Sequence, residues 1–178
     1  MIYTNCIKFS FIICVFVASC LNAHYFRSER NFFLATALFF TLIADFFLVL
    51  TDMYEIGVFV FCFAHIFYIL RNLGAKTLKF CVLVLVLPIF FLNFGVLVIF
   101  AIIYMQLFVL NFATAIIAIK KGLYSRLNSF FLVFGLVLFA VCDILVVLYN
   151  QGQTGVYNAI WLFYAPAKIF IVISGIKA

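Results

Sequence analysis

Charge is what this sequence has least of. Of 178 residues only 9% are charged, five of them acidic, while 70% are hydrophobic. The mean hydropathy is +1.38. A soluble domain carries about 25% charged residues, and one of this length could not hide so much apolar surface. A soluble fold is therefore excluded, and lipid is the solvent for most of the chain. Sustained apolar–polar alternation is also missing, and the apolar runs are about twice the length of a barrel strand, which excludes a transmembrane β-barrel. There is no C-x-x-C spacing, and Cys6, Cys14, Cys20, Cys62, Cys81 and Cys142 all fall inside apolar runs. They read as small packing residues, so neither a disulfide framework nor a metal or other cofactor is expected. The G-x-S-x-G signature of soluble hydrolases is absent too. The 27 phenylalanines read as lipid-facing filler, with no nucleic-acid partner implied.

What is present is a series of apolar runs long enough to cross a bilayer, roughly 17–25 residues each. They fall at about 5–23, 31–50, 55–71, 77–92, 95–119, 128–149 and 157–176. The expected fold is all-α: one transmembrane domain, residues 1–178, built as a bundle of seven helices. Pro88 and Pro166 are expected to kink the helices that hold them. Arg27, Arg30, Arg71, Lys76, Lys79, Lys120, Lys121, Arg126 and Lys177 all fall in or beside odd-numbered loops or the C-terminus. The even loops, at 51–55, 93–95 and 149–157, hold no lysine or arginine. By the positive-inside rule the N-terminus lies outside and the C-terminus in the cytoplasm. Residues 17–20, V-A-S-C, fit a lipoprotein cleavage site. Cleavage there would put Arg27 and Arg30 outside and reverse the charge pattern, so the first run is read as a retained helix.

Removing the loop charges leaves Lys8, Asp45, His65, Asp143 and Lys168 inside spans. Intramembrane ionisable groups are costly and usually mark function. Tyr68 lies three residues from His65 and Tyr164 four from Lys168, each on the helical face of its neighbour. Shifting the chain by 98 residues lays Asp45 on Asp143 and Gly57 on Gly155, which points to a parallel internal repeat bringing the two acids to one depth. Two explanations compete for these residues. In one, Asp45–Lys168 and Asp143–Lys8, or the reverse pairing, are structural ion pairs, and His65 is a hydrogen-bonded core residue. In the other, they form a polar site reached from lipid.

The run A-D-F-F-L-V-L, followed by E-I-G and F-A-H-I-F-Y, resembles the YhhN-like lysoplasmalogenase family of membrane proteins, which carries G-D, then a glycine, then H-x-x-Y. That family's later S-D is similar to Cys142-Asp143, its Y-x-x-A-Q to Tyr164 through Lys168, and its early K-x-x-P to Lys8 with Phe11 in the proline position. The resemblance runs along nearly the whole chain. Ala44, Phe11 and Lys168 stand where the family has Gly, Pro and Gln, and one family helix is missing. The resemblance implies hydrolysis of the vinyl ether of a lysophospholipid substrate, in the cell membrane of a bacterium. Two carboxylates suit that reaction: one protonates the alkenyl carbon and its partner, ionised, assists water, the division of labour of glycosidases. Asp45 and Asp143 are the expected catalytic pair, in either order. His65, Tyr68, Tyr164, Lys8 and Lys168 are the expected supporting and substrate-binding residues. Two alternatives are a small proton-coupled transporter, for which a parallel repeat and buried charges would also serve, and a lipid-binding membrane protein without catalysis.

Overall fold

Six of the seven apolar runs become helices long and apolar enough to cross a bilayer. The computed structural model describes residues 2–176 apart from 52, 85, 92 and 94, and side chains for these except at 2–4, 80 and 83. Lys177 lies outside the described residues. The spanning helices are α1 (Ile2–Phe26), α2 (Glu29–Asp45, continued by a wider helical turn, Phe46–Leu50), α3 (Tyr54–Leu73), α5 (Val96–Lys120), α6 (Arg126–Asn150) and α7 (Tyr157–Ile173). Pro166 sits inside α7, which continues past it to Ile173. Gly122 and Gly152, with φ of 68° and 95°, close α5 and α6. In each case the next residue's N–H reaches back five residues, Leu123 to Ala118 and Gln153 to Leu148, a helix stop that favours glycine because it lacks a Cβ.

The expected fourth span, 77–92, is not one long helix. It forms a short α4 (Leu78–Leu83), a turn, and a tight 3₁₀ segment (Leu87–Phe91). Hydropathy cannot see this break, because valine and proline are apolar. Pro88 lacks a donor and disfavours helix in the residue before it, while Val82, Val84 and Val86 are stiff β-branched residues.

The segment nevertheless returns the chain across the bundle. Phe59 of α3 packs on Phe100 of α5, Phe61 on Tyr104, and Asn72 bonds Asn111. Both positions rise together, so α3 and α5 are parallel. Cys81 and Val84 pack between Cys62, Ile69 and Leu107, in the middle of that pair. Helices α1 and α7 are parallel by the same test, Asn5 meeting Tyr157 and Asn22 meeting Val172.

The six long helices close a ring in the order α1, α2, α3, α5, α6, α7, with α7 returning to α1. This order sets α2 opposite α6, as a parallel repeat would. The environments of the paired residues differ, however. The wide turn follows Asp45, whereas Asp143 lies inside a regular helix. A Cβ on Gly57 would collide with Leu48, whereas one on Gly155 would meet nothing. Every basic loop residue among those described falls at one end of the bundle, with residues 51, 53–55, 93, 95 and 149–157 at the other.

Candidate functional site in the centre of the ring

Asp45 is the last residue of α2 before the wide turn, and it is 4% exposed. That turn lies against α3 because Gly57 has no side chain: a Cβ there would sit 2.5 Å from Leu48 Cγ. The spacing of the D-F-F-L-V-L and E-I-G motifs thus has a packing cause. Asp45 accepts a short hydrogen bond from the Tyr164 hydroxyl of α7.

Asp143, on α6, is half-buried and accepts a hydrogen bond of 2.7 Å from the Tyr104 hydroxyl of α5. Sequence reasoning missed Tyr104. It is one of nine tyrosines, and no charged residue lies within a turn of it on α5. The tyrosines thus come from different helices for each acid, and the offset of 98 does not relate them.

Lys168 is fully buried one turn beyond Tyr164. Its Nζ lies 3.8 Å from the centre of the Phe139 ring, 4.9 Å from Tyr164, 5.0 Å from Phe61 and 5.8 Å from Tyr68. It forms no direct ion pair and has no hydrogen-bond partner. Such contacts with ring faces favour a cation.

His65 is also fully buried, stacked on Phe139 at 5.9 Å and 12°. Its Nδ1 has only a long contact, 3.5 Å, to Asn111 Nδ2, and its Nε2 has no partner. The Tyr68 hydroxyl lies near Thr41 without forming a hydrogen bond to it. Three buried polar groups, Lys168 Nζ, His65 Nε2 and the Tyr68 hydroxyl, are therefore unsatisfied around one cluster of rings. Native proteins rarely leave such groups unpaired.

The structure thus gathers Asp45, Asp143, His65, Tyr68, Tyr164 and Lys168 at the ring centre. Lys8 is set apart. Its Nζ lies over Tyr157 at 3.8 Å and Trp161 at 4.8 Å, and it approaches Asp45 only by way of Trp161 and Tyr164, whose rings are 5.2 Å apart. The direct ion pairs of the competing structural explanation, Lys8 and Lys168 with the two acids, are not formed. Burying four charges in direct pairs is a poor bargain, and ring faces and tyrosine hydroxyls take their place. No group of three metal-ligating side chains occurs among the described residues.

The sequence profile of the YhhN family matches residues 3–175, nearly the whole chain. No curated protein and no solved structure matches it. With a profile match of that extent on an all-helical, membrane-compatible ring, the chain belongs to the YhhN family.

Proposed function

We propose that this protein is an intramembrane hydrolase that cleaves the vinyl ether of lysoplasmalogens, with Asp45 and Asp143 as its acid and base. The observation that carries the reading is their convergence: two carboxylates, each held by a tyrosine hydroxyl, flank three unsatisfied polar groups in one buried cluster. Membership of the YhhN family favours a hydrolase reading, and the resemblance of this chain's motifs to lysoplasmalogenases suggests this bond.

One carboxyl group gives its proton to the alkenyl carbon β to the ether oxygen, leaving an oxocarbenium ion at the α carbon. Water adds there, and its proton passes to the other carboxylate. The hemiacetal then collapses: the bond from the α carbon to the glycerol oxygen breaks, that oxygen takes the proton now held by the second carboxyl group, the hemiacetal O–H gives its proton back to the first, and a fatty aldehyde leaves. One water is consumed and both carboxyl groups end as they began. Lys168, His65 and Tyr68 hold the substrate's oxygen atoms or the water. Substrate reaches the cluster sideways from lipid, beside half-buried Asp143, where α5 and α6 touch only briefly. The basic end faces the cytoplasm.

The test is aldehyde release from a 1-alkenyl lysophospholipid by the purified protein. Asp45→Asn and Asp143→Asn should each lower it by about a hundredfold or more, the usual worth of a general acid or base, with helix content unchanged. Release that survives both substitutions ends this mechanism. A lipid-binding role without turnover has one observation in its favour, the filling of the ring centre by Phe61 and Phe139. Saturable binding with no aldehyde from the unsubstituted protein would mark that role.

A further inference from the structure

At the basic end, a cavity of about 180 Å³ is lined by Glu29, Arg30, Phe33, Leu123 and residues 70–74. That is room for several waters at roughly 30 Å³ each, or for a small oxyanion. Arg71 is 1% exposed, and its guanidinium donates to Ser174 Oγ at 2.7 Å and to the Ile171 carbonyl at 3.5 Å, while Nε has no partner. Arg30 donates to the Leu123 carbonyl. Both guanidinium groups approach the Tyr124 ring, at 5.4 Å for Arg30 and 5.6 Å for Arg71, so one aromatic surface fixes both.

The N-terminus of α2 opens on the same space, its first turn supplying Glu29 and Arg30. Ser28 caps it in position only, with no side-chain hydrogen bond. That leaves backbone N–H groups and the positive end of a 17-residue helix at the cavity. Asn72, fully occupied by Asn111, Thr114 and Tyr124, makes the far wall rigid.

We infer that this cavity binds a phosphate group through Arg30, the free Nε–H of Arg71 and the first turn of α2. Arginine forks match phosphate oxygens geometrically, and basic pockets at this end of membrane bundles suit lipid head groups. The one acid in the lining, exposed Glu29, opposes the anion and tunes the site weak. The site is separate from the ring centre: Arg30 and Asp45 are about 22 Å apart along α2, at 1.5 Å per residue. The phosphate of a lysolipid lies only a few bonds from its vinyl ether. A substrate at the aspartates therefore cannot also fill this cavity, and the bound phosphate belongs to a second molecule.

The inference does not depend on the hydrolase reading, and its test needs no turnover. The thermal midpoint of the purified protein is followed with inorganic phosphate against chloride at matched ionic strength. It is then followed in nanodiscs of phosphatidylcholine with and without phosphatidic acid. A saturable rise with inorganic phosphate identifies a free-anion site, and a rise only with phosphatidic acid identifies a head-group site. Either rise should vanish in Arg30→Gln. Glu29→Gln, an exposed change that leaves the fold alone, should lower the half-saturating concentration by about three- to tenfold, as removal of one like charge nearby implies. No rise with either probe overturns the inference. So does a rise that Arg30→Gln leaves intact, or one to which Glu29→Gln is indifferent.

Discussion

The Lys168 ammonium rests 3.8 Å from the centre of the Phe139 ring, and no oxygen is bonded to it. A buried amine surrounded by ring faces is held by their shape and by the negative charge on those faces. Phe139 serves a second neighbour on its other contacts, stacking on His65. One phenyl ring thus joins the lysine of α7 to the histidine of α3.

That arrangement makes Lys168→Met a test of what the charge contributes. Methionine keeps most of the stem and removes a buried ion whose desolvation is unfavourable. The thermal midpoint should rise or change by less than about 4 °C, the shift expected for about 1 kcal/mol at this chain length. A fall beyond about 10 °C would show that attraction to Asp45 and Asp143 holds the ring closed.

The tyrosine hydroxyls should matter to chemistry as much as to stability. Tyr104→Phe and Tyr164→Phe each keep a ring and delete the hydrogen bond to one aspartate. Hydrogen bonds to a charged group are worth about 1.5–3 kcal/mol, and losses of that order in unfolding free energy are expected for both. Aldehyde release should fall in both variants. A variant that loses stability but keeps full release would reduce that tyrosine to a structural role.

Helix α6 meets α7 closely at Gly135. An added Cβ would lie 2.9 Å from Ile171 Cγ1 and 3.1 Å from the Ala167 carbonyl oxygen. Gly135→Ala should therefore cost about 1–3 kcal/mol, the usual range for overpacking. Ile171→Ala, which removes Cγ1, should cost less in the Gly135→Ala chain than in the unsubstituted one. If its cost is the same in both, the backbone carbonyl of Ala167 is the true obstacle.

Much of this was legible before any coordinates, and the reason is cost. A charge in lipid must be explained, so Asp45, Asp143, His65 and Lys168 stood out by rarity alone, and the loop charges sorted themselves to one end. Tyr104 did not stand out, because a tyrosine in an apolar helix is inexpensive wherever it faces. The buried set of Asn72, Asn111, Thr114 and Tyr124 was equally silent, since its members are far apart in sequence and uncharged. Lys8 stands out by the same rarity, but its ammonium lies over Tyr157 and Trp161, apart from the ring centre, which spacing in the sequence does not reveal. The broken stretch between α3 and α5 escaped because hydropathy measures solubility in lipid and not helical order.

That broken stretch can be checked directly. In a Cys6→Ser background, Lys76→Cys and Gly95→Cys place thiols before and after it. A membrane-impermeant maleimide should label position 95 in intact cells and position 76 only after lysis. Labelling of both from the same side would contradict the parallel setting of α3 and α5.

The closing of α7 on α1 gives synthesis a direction. Tyr164 follows Asp45 by 119 residues, roughly 6–24 s at ~5–20 residues per second on the ribosome. Until α7 is inserted, the nascent bundle holds a carboxylate whose hydroxyl donor does not yet exist. A chain cut short of α7 leaves Asp45 without that partner, and the ring centre is completed only when α7 arrives.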